Sequence, residues 1–253
     1  MQPISAVIIT FNEEKYIGRC LDSLEGVVDE IVVVDSHSTD RTQEICRAHG
    51  CRVILHEFEG YVEQKNWAMG QASHNWILSL DGDEVLSETL RQSIREAKQD
   101  LSRDGYYMNR LNNYYGQWIH HSGEYPDRKL RLFDRRRARW ERLNPHDLLL
   151  LKKGSSTGYL KGDLLHFAHD SRSEHVAKTE KFAEIAGKAL YQQRGRSKWM
   201  RILLSPLWRF MWNYFFRLGF LDGRSGFFVC YTNARQSYLK HLNTRKEKRR
   251  DKK

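Results

Sequence analysis

Asp81–Gly82–Asp83 sets two carboxylates two residues apart, so that on extended backbone both point to one side, with a glycine between them that lets a ligand or another segment come close. Oxygen donors of this kind suit a hard divalent ion, Mg²⁺ or Mn²⁺, which can bridge to a diphosphate and neutralise charge on a departing phosphate. A solvated turn is the plainer alternative, because Asp-Gly is common turn chemistry. A calcium-binding EF-hand is excluded, since Val85 and Leu86 stand where that loop needs an oxygen ligand and a glycine. Asp35 follows Val32–Val33–Val34 and can accept hydrogen bonds from a nucleobase or ribose, or else close a turn. His166 and His169 follow an apolar run and precede Asp170; either can complete a metal shell, contact phosphate, or sit satisfied in a core. Tyr106, Tyr107, Tyr114, Tyr115 and Trp118 can stack on a sugar or simply pack a sheet.

These residues must be positioned by regular elements, and the sequence alternates them. Ile4 to Thr10 is a β-branched apolar run that reads as a strand buried on both faces. Asn12 is expected to cap a helix with Glu13 and Glu14 in its first turn and Tyr16, Ile17, Cys20, Leu21 and Leu24 at helical spacing. Glu30 to Asp35 is a second strand, followed by a helix with Asp40 and Gln43 as a capping box and Gly50 at its end. Arg52 to His56 and Trp76 to Leu80 read as strands, Val62 to Ala72 as a helix, and Ser87 as the cap of a helix reaching about Asp100. This βα repetition predicts an α/β fold with a doubly wound, mostly parallel sheet, helices on both faces, and a ligand crevice at the strands' carboxyl ends. Thr10, Asn12, Asp35 and the Asp81/Asp83 pair all fall at those ends. A glycine-rich phosphate loop is absent after the first strand, which argues against nicotinamide cofactors and P-loop nucleotide hydrolysis. Beyond Gly105 the chain turns aromatic and strand-like, and a helix is expected from about Ser173 to Gln193.

The chain has 253 residues, 40% hydrophobic and 29% charged, with 4 prolines, so disorder of the whole chain is excluded. Four cysteines without a C-x-x-C pair argue against a zinc ribbon or disulfide framework and for a reducing, cytoplasmic compartment. The net charge of +10 is unevenly placed: Arg194 to Lys253 holds 16 Lys/Arg against Asp222, Glu247 and Asp251, while the preceding residues are slightly acidic. Trp199 to Leu239 adds twelve aromatics, a combination expected at an anionic interface, either membrane or nucleic acid. No secretory leader is expected at the N-terminus, and a spanning helix over Ile202 to Leu221 is disfavoured by Pro206, Arg209, Asn213 and Arg217. The expected division is a nucleotide-binding and catalytic domain over 1–195 and a helical, basic, membrane-associating region over 196–253.

Four ordered motifs, Thr10–Phe11–Asn12–Glu13–Glu14, Val33–Val34–Asp35–Ser36 with Ser38–Thr39–Asp40, Gln64–Lys65–Asn66 and Asp81–Gly82–Asp83–Glu84, resemble those of family 2 glycosyltransferases. Leu164–Leu165–His166–Phe167 and Gly219 to Arg224 extend the likeness over most of the chain, toward the branch that builds bacterial lipopolysaccharide core. The resemblance implies a GT-A fold, a nucleoside-diphosphate sugar donor, usually UDP-linked, and transfer with inversion, here of a hexose, glucose first, to a lipopolysaccharide core or other lipid-linked acceptor. It implies that Thr10, Asn12, Glu14 and Asp35 line the nucleoside pocket, that Lys65 and Asp81 approach the nucleotide, and that Asp83 with Asp81 holds the metal, whose shell His166 is expected to complete. Where relatives carry Val-His-Glu this chain has Pro145–His146–Asp147, so Asp147 is the implied base and His146 its orienting neighbour, with Glu124 and Asp127 as alternatives. The tail then suits an anchor on the anionic inner face of the cytoplasmic membrane. A sugar-phosphate nucleotidyltransferase or phosphohydrolase fits the motifs poorly, and a nucleic-acid-binding protein would leave the carboxylates unexplained.

Overall fold

The computed structural model describes residues 1–143, 146–195 and 197–250; side chains at 142, 143, 146, 194 and 248–250 are also outside the description. The chain divides into two compact units. One comprises Met1–Arg110, Asp127–Arg142 and Asp147–Phe167; the other comprises Leu111–Pro126, Leu143–His146 and Ala168–Lys253.

The first unit begins with β1 (Ile4–Thr10), α1 (Ile17–Leu24), β2 (Glu30–Asp35), α2 (Thr42–Ala48), β3 (Arg52–Leu55), α3 (Tyr61–Gln71), β4 (Trp76–Asp81), β5 (Glu84–Leu86) and α4 (Glu88–Ala97). It continues through β6 (Gly105–Tyr114), β7 (Gln117–Trp118), β8 (Asp127–Asp134), the β9 (Ala138–Leu143) and β10 (His146–Leu151) hairpin, and β11 (Thr157–His169), of which β7 and the ends of several strands fall to the second unit. The main sheet runs β3-β2-β1-β4-β8-β6-β11-β5. It is parallel from β3 to β4 and turns antiparallel at β8, so the sheet is mixed, with the parallel part confined to the first four helix-linked strands. Between β6 and β8 the chain returns without a crossover helix, and such a return leaves the two strands antiparallel neighbours.

Helices do cover both faces. Ile4, Ala6 and Ile8 of β1 pack with Ile17, Leu21 and Leu24 of α1 and Leu90 and Ile94 of α4, whereas Val7 and Ile9 pack with Ala68 and Met69 of α3. This strict alternation is why β1 is apolar at nearly every position. Ser87 caps α4 as expected, accepting from the Leu90 amide at 3.3 Å. Asn12 is not a cap. It adopts φ +54°, a left-handed conformation that asparagine tolerates, and α1 starts five residues later without a side-chain cap. The expected capping box is also absent: Asp40 accepts from Thr42 instead, and Gln43 donates to Asp35.

In the second unit α5 (Arg172–Arg194) lies along α7 (Gly223–Arg250). Gly187 permits their approach, since a Cβ there would stand 2.6 Å from that of Asn243. Between them in sequence come α6 (Trp199–Met211), a π turn (Trp212–Phe216) and a 3-10 turn (Gly219–Asp222). Asp222 is buried and accepts from the His121 amide and ring at 2.9 Å each, so this acid in the Gly219 to Arg224 motif is a structural staple.

Candidate active site

Parallel pairing fixes the rim of the site. Thr10 is opposite Asp35 on β2, and Ile9 is opposite Asp81 on β4, so the carboxyl ends of β1, β2 and β4 terminate together. The loops that follow β1 and β2 are laced by reciprocal hydrogen bonds. The Asn12 amide donates to Ser38 Oγ at 2.8 Å, the Thr39 amide donates to Asn12 Oδ1 at 2.8 Å, and the Arg41 amide donates to Glu14 Oε2 at 3.0 Å. Asp35 is fully buried and accepts from the Ser38 amide and Gln43 Nε2, both at 2.9 Å, and from Ser38 Oγ. Asn12, Glu14 and Asp35 therefore build the rim's shape. Thr10 differs, because its Oγ1 is buried without a hydrogen-bond partner among the described residues. A Cβ on Gly82 would come within 2.9 Å of that hydroxyl, so the β4 turn can close against β1 only with glycine there.

Behind Asp81 lies a buried ionic layer that the sequence reading missed. Glu84 is wholly buried and accepts from the Asp81 amide at 3.0 Å; Arg131, 3% exposed, donates to both Glu84 Oε1 at 2.5 Å and Asp81 Oδ2 at 3.1 Å. Arg110 extends the layer, 3.6 Å from Glu84 and 2.8 Å from Asp127. The available signal was a lone arginine inside the apolar run Leu130 to Phe133, where only a paired charge can be buried.

Lys65, 5% exposed, stands between two acids from distant segments: its Nζ donates to Asp147 Oδ2 at 2.8 Å and lies 3.2 Å from Asp81 Oδ1. The ammonium also sits 4.5 Å from the centre of the Trp140 ring. Asn66 fixes this arrangement by donating to the Trp140 carbonyl at 2.8 Å and accepting from its amide at 3.0 Å, so α3 and β9 are joined next to the lysine. Burial raises the Asp81 carboxyl, but the charges of Lys65 and then Arg131 outweigh it and hold the group well below the usual carboxylate range. Asp147 is likewise pushed up by burial and pulled below its ordinary value by Lys65.

Asp83 Oδ2 and His166 Nε2 are 3.4 Å apart, each less than a fifth exposed. The antiparallel pairing of β5 and β11, with His166 opposite Glu84, brings them together. An oxygen and an imidazole nitrogen at this distance fit part of a divalent-ion shell, the other positions left to water and phosphate. Among the described residues no third side chain joins them in a metal-type cluster. Asp81 could join only by releasing Lys65 or Arg131, since its two oxygens face those cations.

The remaining sequence candidates lie elsewhere or are otherwise engaged. Asp127 is held by Arg110 and Lys129, and Glu124, in the second unit, accepts from Tyr114 and Asn233. His169 stacks on His175 in the second unit with ring centres 4.2 Å apart. His146 opens β10, and its side chain is outside the described residues, as are Asn144 and Pro145.

A Rhizobium meliloti lipopolysaccharide core biosynthesis glycosyltransferase, LpsC, is 29% identical over 94% of this chain and 90% of its own length. An uncharacterized glycosyltransferase of Rickettsia felis is 29% identical over 96% of this chain and 93% of its own. Among solved structures, glucosyl-3-phosphoglycerate synthase from Mycobacterium tuberculosis, crystallised with Mn²⁺, UDP and glucosyl-3-phosphoglycerate, superposes with a TM-score of 0.38 and 22% identity over 44% of each chain. The model of glycosyl transferase family 2 matches residues 5–153, a span that contains β2 through β4, all but the first residue of β1, Lys65, the Asp81 turn and Asp147. On that match, which takes in more than half of the residues, the chain belongs to glycosyl transferase family 2.

Proposed function

We propose that this enzyme moves a hexosyl group, glucose first among the choices, from a UDP-linked donor to a hydroxyl of lipopolysaccharide core or another lipid-linked glycan, with inversion at the anomeric carbon. The observation that carries the reading is Lys65, one buried ammonium shared by Asp81 at the strand-end rim and Asp147 at the far end of the match. A cation so placed is suited to the anionic diphosphate of a sugar nucleotide. The likeness to LpsC supports the acceptor class.

In the proposed reaction Asp147 takes the proton of the acceptor hydroxyl, that oxygen bonds to the anomeric carbon, and the bond from this carbon to the diphosphate oxygen breaks. Lys65 keeps Asp147 ionised, hence able to accept a proton, while lowering its basicity; transfer of Lys65 to the donor diphosphate would release the base when the donor is bound. Arg131 and Glu84 hold the Asp81 carboxylate in place, and His146 would orient the base. Asp83 and His166 would hold a bound Mg²⁺ or Mn²⁺, with Asp81 nearby. Such an ion supplies neutralisation of charge on the departing diphosphate. Thr10, Asn12, Glu14 and Asp35 would shape the nucleoside pocket. The 1–195 portion would carry this chemistry and 196–253 would keep the enzyme peripheral on the inner face of the cytoplasmic membrane, in the same layer as its acceptor.

Asp147→Asn tests the assignment. Calorimetric binding of UDP-glucose with Mn²⁺ should be retained while transfer to lipopolysaccharide core falls by about 10²–10⁴. Unchanged transfer removes Asp147 from the base role, and loss of all sugar-nucleotide binding by the wild-type chain across a donor panel removes the reading.

A further inference from the structure

Helix α6 is amphipathic in the inverse of the sense expected in water. Its inward face is set by Ile202, 1% exposed, and by Ser205, whose hydroxyl shares a 2.7 Å hydrogen bond with that of Ser237 on α7. Its outward face carries Met200, Leu203, Leu204, Leu207, Trp208 and Met211, which at ~3.6 residues per turn fill an arc of about 140°. Leu203, Leu207 and Trp208 are 66%, 60% and 62% exposed, and Phe216 in the π turn, at 65%, continues the face. A contiguous apolar surface of this kind marks an interaction site, and one more apolar than the helix's own inward face suits a non-aqueous phase.

The charges around it select the phase. From Gly195 to Leu221 the sequence contains no acidic residue, while Lys198, Arg201, Arg209 and Arg217 are all exposed. A second copy docking through this face would set like charges against each other with no acid to pair them, whereas anionic headgroups complement them. The helix is 13 residues long, about 20 Å, against a hydrocarbon core of about 30 Å. No helix among the described residues is long and apolar enough to cross a membrane. Trp208 and Trp212, stacked with ring centres 5.7 Å apart, are of the type that favours the headgroup level.

We infer that α6 and the π turn lie flat in the headgroup boundary of an anionic bilayer, with the Leu203/Leu204/Leu207 face toward the acyl chains and Arg201 at its flank. This deepens the membrane placement proposed above and rests on the C-terminal unit alone, so its failure leaves the transferase reading standing. The experiment is co-sedimentation of the full chain with phosphatidylglycerol-containing and pure phosphatidylcholine vesicles, beside Leu204→Glu/Leu207→Glu and Arg201→Gln/Arg209→Gln. Circular dichroism and binding of UDP establish that the variants are folded. The wild-type chain should partition onto the anionic vesicles, the double glutamate variant should lose about tenfold or more, and the double glutamine variant should lose the preference for anionic lipid. Absence of vesicle binding, or undiminished binding by the folded glutamate variant, overturns the inference. So does a wild-type dimer in sedimentation velocity that the glutamate variant dissolves while neither protein binds vesicles, which would make the occupant a second copy.

Discussion

At the scale of single residues, the site is organised by which charges are paired in a dry environment. Asp81 and Asp83 are two residues apart yet meet different partners: Asp81 faces Lys65 and Arg131, and Asp83 faces His166. The reason is the tight turn at Gly82, which sends the second acid toward β11 while the first stays at the end of β4. Arg131 is the residue on which this separation depends, because Glu84 beneath it has no exposure to water. Arg131→Met should therefore destabilise the protein by about 3–5 kcal/mol, the cost of leaving a buried charge uncompensated. Urea unfolding at neutral pH checks this, and a loss below about 1 kcal/mol would mean that Glu84 finds another partner or a proton. The sequence placed Asp81, Asp83 and Lys65 as chemistry-bearing residues, but Arg131, Glu84 and Trp140 were hidden, since a buried ion pair joins segments whose adjacency no local pattern encodes.

At the scale of elements, propensity and periodicity located the strands and helices of the first unit, and the departures from it have local causes. Asn12 and Asp40 have the composition of helix caps, yet their side chains tie the loops after β1 and β2 together. Short polar side chains compete for any nearby amide, so a cap signal and a loop-lacing signal look alike in sequence. Ser87 shows the opposite outcome. Its Oγ accepts from the Leu90 amide and from the Asp163 amide at 2.9 Å, so one hydroxyl caps α4 and attaches it to β11. Ser87→Ala should cost at least the ~0.5–2 kcal/mol of a lost cap, with hydrogen exchange faster at both Leu90 and Asp163. Faster exchange at Leu90 alone would limit the hydroxyl's role to the cap.

At the scale of the whole molecule, a single buried histidine gives the second unit a pH dependence. In the second unit His175 is buried against Tyr115, whose hydroxyl bonds its Nδ1, with Thr232 Oγ1 3.3 Å from its Nε2 and His169 stacked on its face. Burial lowers its pKa from 6.5 to about 4, with Glu174 acting in the opposite direction and Lys178 in the same one. A histidine depressed in the fold binds its proton more readily when unfolded, so its contribution is complete above about pH 6.5 and is lost as pH falls toward 4. Denaturant unfolding from pH 7 to pH 4 should show stability falling across that window by up to about 3 kcal/mol from this group, with a flatter profile in His175→Gln. Equal slopes in the two proteins would assign the acid sensitivity to other groups. The sequence by itself determined the alternation of β1 to α4, the carboxyl-end location of the polar motifs and the basic, aromatic character of the tail, because periodicity, β-branching and charge are local properties of a chain. Only the tertiary structure decided that Lys65 joins Asp81 to Asp147, that Arg131 neutralises Glu84 out of reach of water, and that α6 turns its apolar face outward, because each of these is fixed by which distant segments exclude solvent from one another.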